Sequence, residues 1–166
     1  MVMEIQLVSS MYQGLYISIA FALFALLVAT GNIIQAFLAA FTIGLVIINV
    51  MAFVAYNKWQ LGSAECVSIV VCVGFAVDYV VHLASHYVHS EFDDRENRMR
   101  DSLREMGISI LSGAITTILA TITLFICVLM LFSKFAIFVI MTTLFSVVYS
   151  LGFFSALCLA IGPTGT

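Results

Sequence analysis

Asp78 stands inside a long apolar stretch whose centre reads Cys72-Val73-Gly74-Phe75-Ala76-Val77-Asp78-Tyr79-Val80-Val81-His82-Leu83-Ala84. A carboxylate at the centre of a bilayer costs roughly 2.5–3.5 kcal/mol on insertion scales, and residues that bear this cost usually mark an ion or substrate path. Gly74, Asp78, His82 and His86 recur every four residues, so a helix gathers them into one small and polar stripe. Such a stripe must face protein or water, not lipid. The Asp78 carboxyl could carry a proton through a conformational change, or stay ionised and hold sodium, the plainer alternative being a structural buried polar contact; the residue types leave these open. His82, one turn along, could tune or relay that charge, or pack as a neutral imidazole donating to a neighbour. His86 and His89 read as solvated groups at a helix end. The spacing of Asp78, His82 and His86 also suits a transition metal. Three ligands spread over two turns of one helix rarely converge on one ion, however, so no metal is expected. Thr116 and Thr117, on the next apolar run, could bring hydroxyls to Asp78 or to its ion.

The composition dictates a membrane around these residues. Hydrophobic residues make up 63% of the chain and charged residues 9%, with a single proline, which excludes a soluble domain. A nucleic-acid partner is excluded on the same ground. No nucleophile, paired acid or metal constellation appears outside the stripe, so the chain does not read as an enzyme, and no cofactor is implied beyond a coupling H+ or Na+. Cys66, Cys72, Cys127 and Cys158 show none of the close pairing that zinc or redox sites use, and read as small core residues. Met1 to Met11 carries Glu4 and no basic residue, unlike a signal peptide, and forms a short lead-in over residues 1–11.

About 20 apolar residues are needed to cross the hydrocarbon layer. Five runs satisfy this, at about 12–30, 33–56, 64–88, 107–131 and 135–161, giving an all-α membrane protein with one five-helix domain over 12–163. Gly31-Asn32 makes a tight turn between the first two. Tyr56 and Trp59 suit the headgroup region, Ser63 and Glu65 the start of the third helix. Residues 91–105 hold most of the charge, with Phe92, Met99, Leu103 and Met106 on one side; Ser90 and Asp93 read as a capping box. This predicts a short amphipathic cytoplasmic helix lying on the membrane surface, the alternative being a solvated charged loop. In the fourth span Ser109, Ser112, Gly113, Thr116, Ala120 and Thr123 offer a face of small and hydroxylated residues that lets helices approach closely. A turn at Phe132-Ser133-Lys134 precedes the fifth span, which Gly162-Pro163 ends.

Four of the six basic residues lie between the third and fourth spans, which places that segment in the cytoplasm. Counting outward, the N-terminus is expected outside or lumenal and the C-terminus cytoplasmic, in a multi-pass protein of the plasma membrane or an endomembrane. An outside N-terminus suggests that an earlier span delivers this chain across the membrane, as one piece of a larger polypeptide.

Gly-Phe-Ala-Val-Asp-Tyr-Val-Val-His-Leu-Ala at 74–84, the arginine-containing segment after it, Met106-Gly107-Ile108-Ser109-Ile110, Gly113-Ala114-Ile115-Thr116-Thr117, Lys134-Phe135 and Gly162-Pro163 together resemble the C-terminal membrane half of the resistance-nodulation-division superfamily. The resemblance is strongest to its Dispatched and Patched branch, with Niemann-Pick C type proteins more distant, and covers nearly the whole chain. It implies that the five spans correspond to helices eight to twelve of a twelve-helix transporter with sterol-sensing-type units. It also implies that the Asp78 helix packs against its counterpart in an N-terminal six-helix half, with Asp78 coupling the cation and Gly74 allowing close approach. That half usually supplies a further acidic pair; here residue 79 is Tyr79, so this chain offers one buried carboxyl. The implied activity is cation-coupled transport of lipids, sterols or lipid-modified proteins. The implied partners are those lipids, the N-terminal half, and other membrane subunits. The alternative is a non-transporting, sterol-sensing-like scaffold that binds lipid or a partner protein.

Overall fold

The computed structural model describes residues 2–57, 63–90, 92, 94–126 and 130–162; within its helices the side chains of residues 2–5, 7, 8, 11, 63–66, 130 and 131 lie outside that description. The chain forms α1 (Val2–Thr30), α2 (Ile33–Tyr56), α3 (Ser63–His89) and α4 (Arg95–Ile122), which tightens into a 3₁₀ turn (Thr123–Ile126). A last rod follows, made of α5 (Met130–Val148), a π-helical segment (Tyr149–Phe154) and α6 (Ser155–Ile161). Among the described residues, five stretches are long and apolar enough to span a membrane: Tyr12–Thr30, Ile33–Tyr56, Val67–His89, Arg95–Ile126 and Phe132–Ile161. The architecture is the all-α membrane fold that the apolar runs predict, and residues 2–11 extend α1 rather than forming a separate lead-in.

The α1–α2 hairpin follows from two residues. Gly31 adopts a φ of 58°, a left-handed conformation that costs glycine little and other residues more. Asn32 then caps α2, its Oδ1 accepting from the Ile34 N–H at 3.1 Å. α3 is the hub: it packs against α1, α2, α4 and α5, and more of it is buried than of any other span. Its inward residues, Val73, Ala76, Val80, Leu83 and Ala84, are small or β-branched for the most part, which brings neighbouring backbones close.

Polar links staple the helices. Ser85 Oγ donates to the Ala29 carbonyl (3.2 Å), Gln35 Nε2 to Cys158 Sγ (3.1 Å), Tyr87 Oη to the Cys158 carbonyl (3.4 Å) and an Arg95 guanidinium nitrogen to the Ala160 carbonyl (3.1 Å). These place the Gly31 turn, the α3–α4 connection and the end of α6 at one end of the bundle. Deeper in, Asn49 Nδ2 donates to Tyr149 Oη at 2.9 Å and Ser150 Oγ to the Tyr79 carbonyl at 3.2 Å. Both bonds engage the π segment, which the residue pattern did not signal.

The structure corrects several expectations. Residues 95–105 are not a separate surface helix: they are the N-terminal part of α4, continuous through Gly107 into the fourth span. Their apolar side turns onto the bundle, with Met99 1% exposed and Leu103 and Met106 packed against the core, while Phe92 is exposed. Burying Met99 against protein satisfies that face without a lipid surface. The cap of α4 is Asp94, and Ser90 Oγ instead donates to Asp101 Oδ2 at 3.2 Å; Asp93 lies outside the described residues. Phe132-Ser133-Lys134 is helical, inside α5, and α4 tightens well before it, where the Thr123 hydroxyl bonds back to the Ala120 carbonyl (2.6 Å). Cys72 and Cys158 are buried and free. Trp59, Cys127, Pro163 and the side chains of Ser63, Glu65 and Cys66 lie outside the described residues. Gly162 ends α6, its N–H bonding to the Cys158 carbonyl at 2.9 Å.

Candidate functional site

α3 turns one line of residues away from the core. Gly74, Asp78 and His82 are exposed along it, flanked by α1 on one side and α4 on the other. Asp78 sits on the ridge between two cavities. Between α3 and α4 lies a space of about 390 Å³, walled by Asp78 and His82 from α3 and by Met106, Ser109, Gly113 and Thr117 from α4. Between α1 and α3 lies one of about 280 Å³, walled by Ser18 and Phe21 from α1 and by Gly74 and Asp78 from α3.

The α4 wall follows from the same periodicity as the α3 stripe. Ser109, Gly113 and Thr117 recur every four residues, so they run antiparallel to Asp78 and His82 and face them across the gap. The polar groups of this wall are the sort that a hydrated cation or a water file requires. Among the described residues, neither Asp78 nor His82 has a hydrogen-bond partner. The carboxyl therefore has its full acceptor capacity available to water or an ion.

The expected site residues separate in space. Asp78, His82, Gly113 and Thr117 share the larger cavity, whereas Thr116 is not on its wall. Thr116 is exposed and donates to the Ser112 carbonyl at 2.8 Å. Thr117 donates to the Gly113 carbonyl at 2.9 Å, which leaves the hydroxyl oxygen free to accept or ligate. One residue apart on a helix means about 100° of rotation, and that decides which threonine meets Asp78. No described atom lies within 4 Å of a Cβ built at Gly74 or Gly113, so within this chain both open onto space and not onto a close helix. Among the described residues no group of three or more His, Cys, Asp or Glu side chains gathers as a metal site.

Two participants were missed by sequence reasoning. Ser109 was placed on a small-residue face without being aligned to Asp78, although its i+4 relation to Gly113 and Thr117 carried the signal. His86 is not simply solvated: its ring reaches α4, with Nδ1 3.3 Å from Ser102 Oγ and Nε2 3.0 Å from Glu105 Oε2. His89 does end α3 exposed, its Nδ1 2.8 Å from the Ser85 carbonyl.

Comparison with known proteins bears out the resemblance. Residues 7–166 match the MMPL family model. Protein dispatched homolog 3 of Gallus gallus is 33% identical over 172 residues, covering 97% of this chain and 13% of that protein. Protein dispatched homolog 1 of Mus musculus is 32% identical, over 92% of this chain and 10% of the relative. NPC intracellular cholesterol transporter 1 homolog 1b of Drosophila melanogaster is 31% identical, over 60% of this chain and 8% of the relative. The chain thus spans about an eighth of the length of the first of these relatives. A membrane bundle built around one outward-turned carboxyl, matched along nearly its whole length by this model and by Dispatched proteins, has a place among known sequences: the chain belongs to the MMPL family, within the Dispatched-like part of the resistance-nodulation-division superfamily.

Proposed function

We propose that this chain is a membrane-embedded unit of a cation-coupled transporter of lipids, sterols or lipid-modified proteins, with Asp78 as the group that takes up and releases the coupling H+ or Na+. The observation that carries the reading is the position of Asp78: mid-span, without a hydrogen-bond partner among the described residues, and on the boundary of two cavities that approach it from either side of α3. A carboxyl costly to bury persists there because protein or water covers it. His82 supplies a second titratable group on the same wall, and Ser109 and Thr117 supply oxygens opposite. Gly74 and Gly113 keep the two cavities open, and a partner half of the transporter has its docking line along this stripe. The N-terminus is placed outside and the end bearing Arg95 to Arg104 in the cytoplasm, by the basic residues gathered there. The cholesterol named for the Drosophila relative makes a sterol the first substrate to try.

The test reconstitutes the full-length protein in liposomes and follows movement of a fluorescent sterol with and without an imposed Na+ or H+ gradient. Asp78→Asn is expected to remove the gradient-dependent component while leaving membrane insertion intact. Gradient-dependent transport that is unchanged in that variant refutes cation coupling through Asp78 and favours the lipid-binding scaffold.

A further inference from the structure

The polar line of α3 does not stop at the cavity. One turn beyond His82, the His86 ring bridges α3 and α4, and the atoms it meets fix where protons sit. Ser102 Oγ lies 2.9 Å from the Arg98 carbonyl and 3.3 Å from His86 Nδ1. A hydroxyl has one proton, and the shorter contact, to an acceptor that cannot donate, takes it. Nδ1 must then carry a hydrogen and donate to the Ser102 oxygen. With Nδ1 protonated, Nε2 of a neutral ring would be a bare acceptor facing a carboxylate oxygen at 3.0 Å, which is repulsive. The contact is made only when one further proton sits between Nε2 and Glu105 Oε2, on the ring or on the carboxyl. The pair is a one-proton store.

Its surroundings suit exchange at both ends. The Glu105 side chain is 61% exposed and that of His86 20%, so the carboxylate meets bulk water while the ring faces inward. Glu105 precedes Met106 and lies one turn before Ser109, both on the cavity wall with His82 and Asp78. From His86 to Asp78 is eight residues, about 12 Å along the axis, with His82 midway on the same line. The other ionisable groups at this end of the two helices among the described residues are Tyr87 and His89 on α3, Asp94 at the cap of α4, and Arg95, Glu96, Arg98, Arg100, Asp101 and Arg104 on α4. Asp101 is engaged by Ser90 Oγ and Arg98 by the Phe92 carbonyl. The adjoining ends of α1, α2 and α6 bring no ionisable side chain but Cys158.

We infer that His86 and Glu105, oriented by Ser102, form the proton port of the Asp78 cavity: the pair hands one proton between bulk water and the water that reaches His82 and Asp78. In one transfer the Nε2–H or carboxyl O–H bond breaks as a water on the cavity side gains the proton, and Glu105 regains one from solution. This rests on cation coupling through Asp78 and selects H+ as the ion.

The full-length protein, reconstituted in liposomes holding the pH dye pyranine, is given a potassium diffusion potential, inside negative, and the initial rate of interior acidification is read. His86→Gln and Glu105→Gln, which keep size and hydrogen bonding, should each slow proton entry on the order of a hundredfold, the usual worth of a positioned proton-transfer group. Added imidazole should restore flux in His86→Gly, which a merely structural loss would not allow. His89→Gln should match the parent. Parent-like flux in correctly inserted His86→Gln and Glu105→Gln overturns the port. So does a parent that moves no protons but takes up radiolabelled sodium in an Asp78-dependent way, a result that leaves cation coupling itself standing. If Asp78→Asn alters neither ion flux, cation coupling falls and the port falls with it.

Discussion

Gly113→Phe separates the cavity from the fold. Gly113 forms part of the cavity wall opposite Asp78, inside a continuous helix, with no described atom within 4 Å of an added Cβ. Replacing glycine in a helix interior by alanine removes a backbone-entropy cost of about 0.5–1 kcal/mol, so Gly113→Ala should stabilise slightly. A phenyl group adds roughly four waters' worth of volume at about 30 Å³ each, on the order of 120 Å³. The cavity of about 390 Å³ accepts it without overpacking, but loses about a third of its space, next to the carboxyl. Expected together are a midpoint of SDS-induced unfolding in detergent within about 1 kcal/mol of the parent and a loss of gradient-driven sterol movement in liposomes. A folded Gly113→Phe that transports at the parental rate would refute the claim that the α3–α4 cavity serves the cation carried by Asp78. A loss of more than about 2 kcal/mol in Gly113→Ala, the size of an overpacked contact, would show a helix already seated against Gly113, leaving no water-filled space there.

Three further outcomes follow from packing. Gly162→Ala would drive a Cβ into the Cys158 carbonyl and the Tyr87 hydroxyl, and the carbonyl is held by the α6 cap. Overpacking with loss of one hydrogen bond should cost roughly 2–4 kcal/mol in SDS unfolding, while Gly152→Ala, in open space, costs nothing. Ala76→Leu places three more carbons beside a void of only about 10 Å³ and should lose about 1–3 kcal/mol by the same measurement. Ser150→Ala removes the bond to the Tyr79 carbonyl; interhelical bonds in membranes average about 0.6 kcal/mol, so a small drop in unfolding free energy is expected, and one above about 1.7 kcal/mol would mean that the π segment rearranges.

The contrast between α2 and α4 shows what a sequence discloses. Ile33 to Tyr56 is uniformly apolar and bounded by Gly31-Asn32, so length and one turn signal place both its ends. α4 changes character at Gly107, and hydropathy divides it into a charged helix and a span. Backbone hydrogen bonding ignores that boundary, and Met99 finds a protein surface to cover it. Whether two helical segments are collinear is a tertiary property that no local pattern encodes. The same limit governs the site. The four-residue recurrence on α3 identified Asp78 and its line, because a charge in an apolar run is a local signal. Which α4 residues stand opposite depends on the antiparallel register of α3 and α4, which selected Thr117 over Thr116 and brought His86 to Ser102 and Glu105. The π segment is beyond sequence reasoning for a related reason: Ser150 and Tyr149 gain long-range partners there that offset one irregular turn.

The most direct test of cation carriage by Asp78 is charge displacement by the full-length protein adsorbed on a solid-supported membrane, after a rapid jump in Na+ or H+ concentration. A transient current is expected for the parent with one of the two ions, retained in reduced form by Asp78→Glu and absent from Asp78→Asn. An undiminished transient in Asp78→Asn would contradict the assignment.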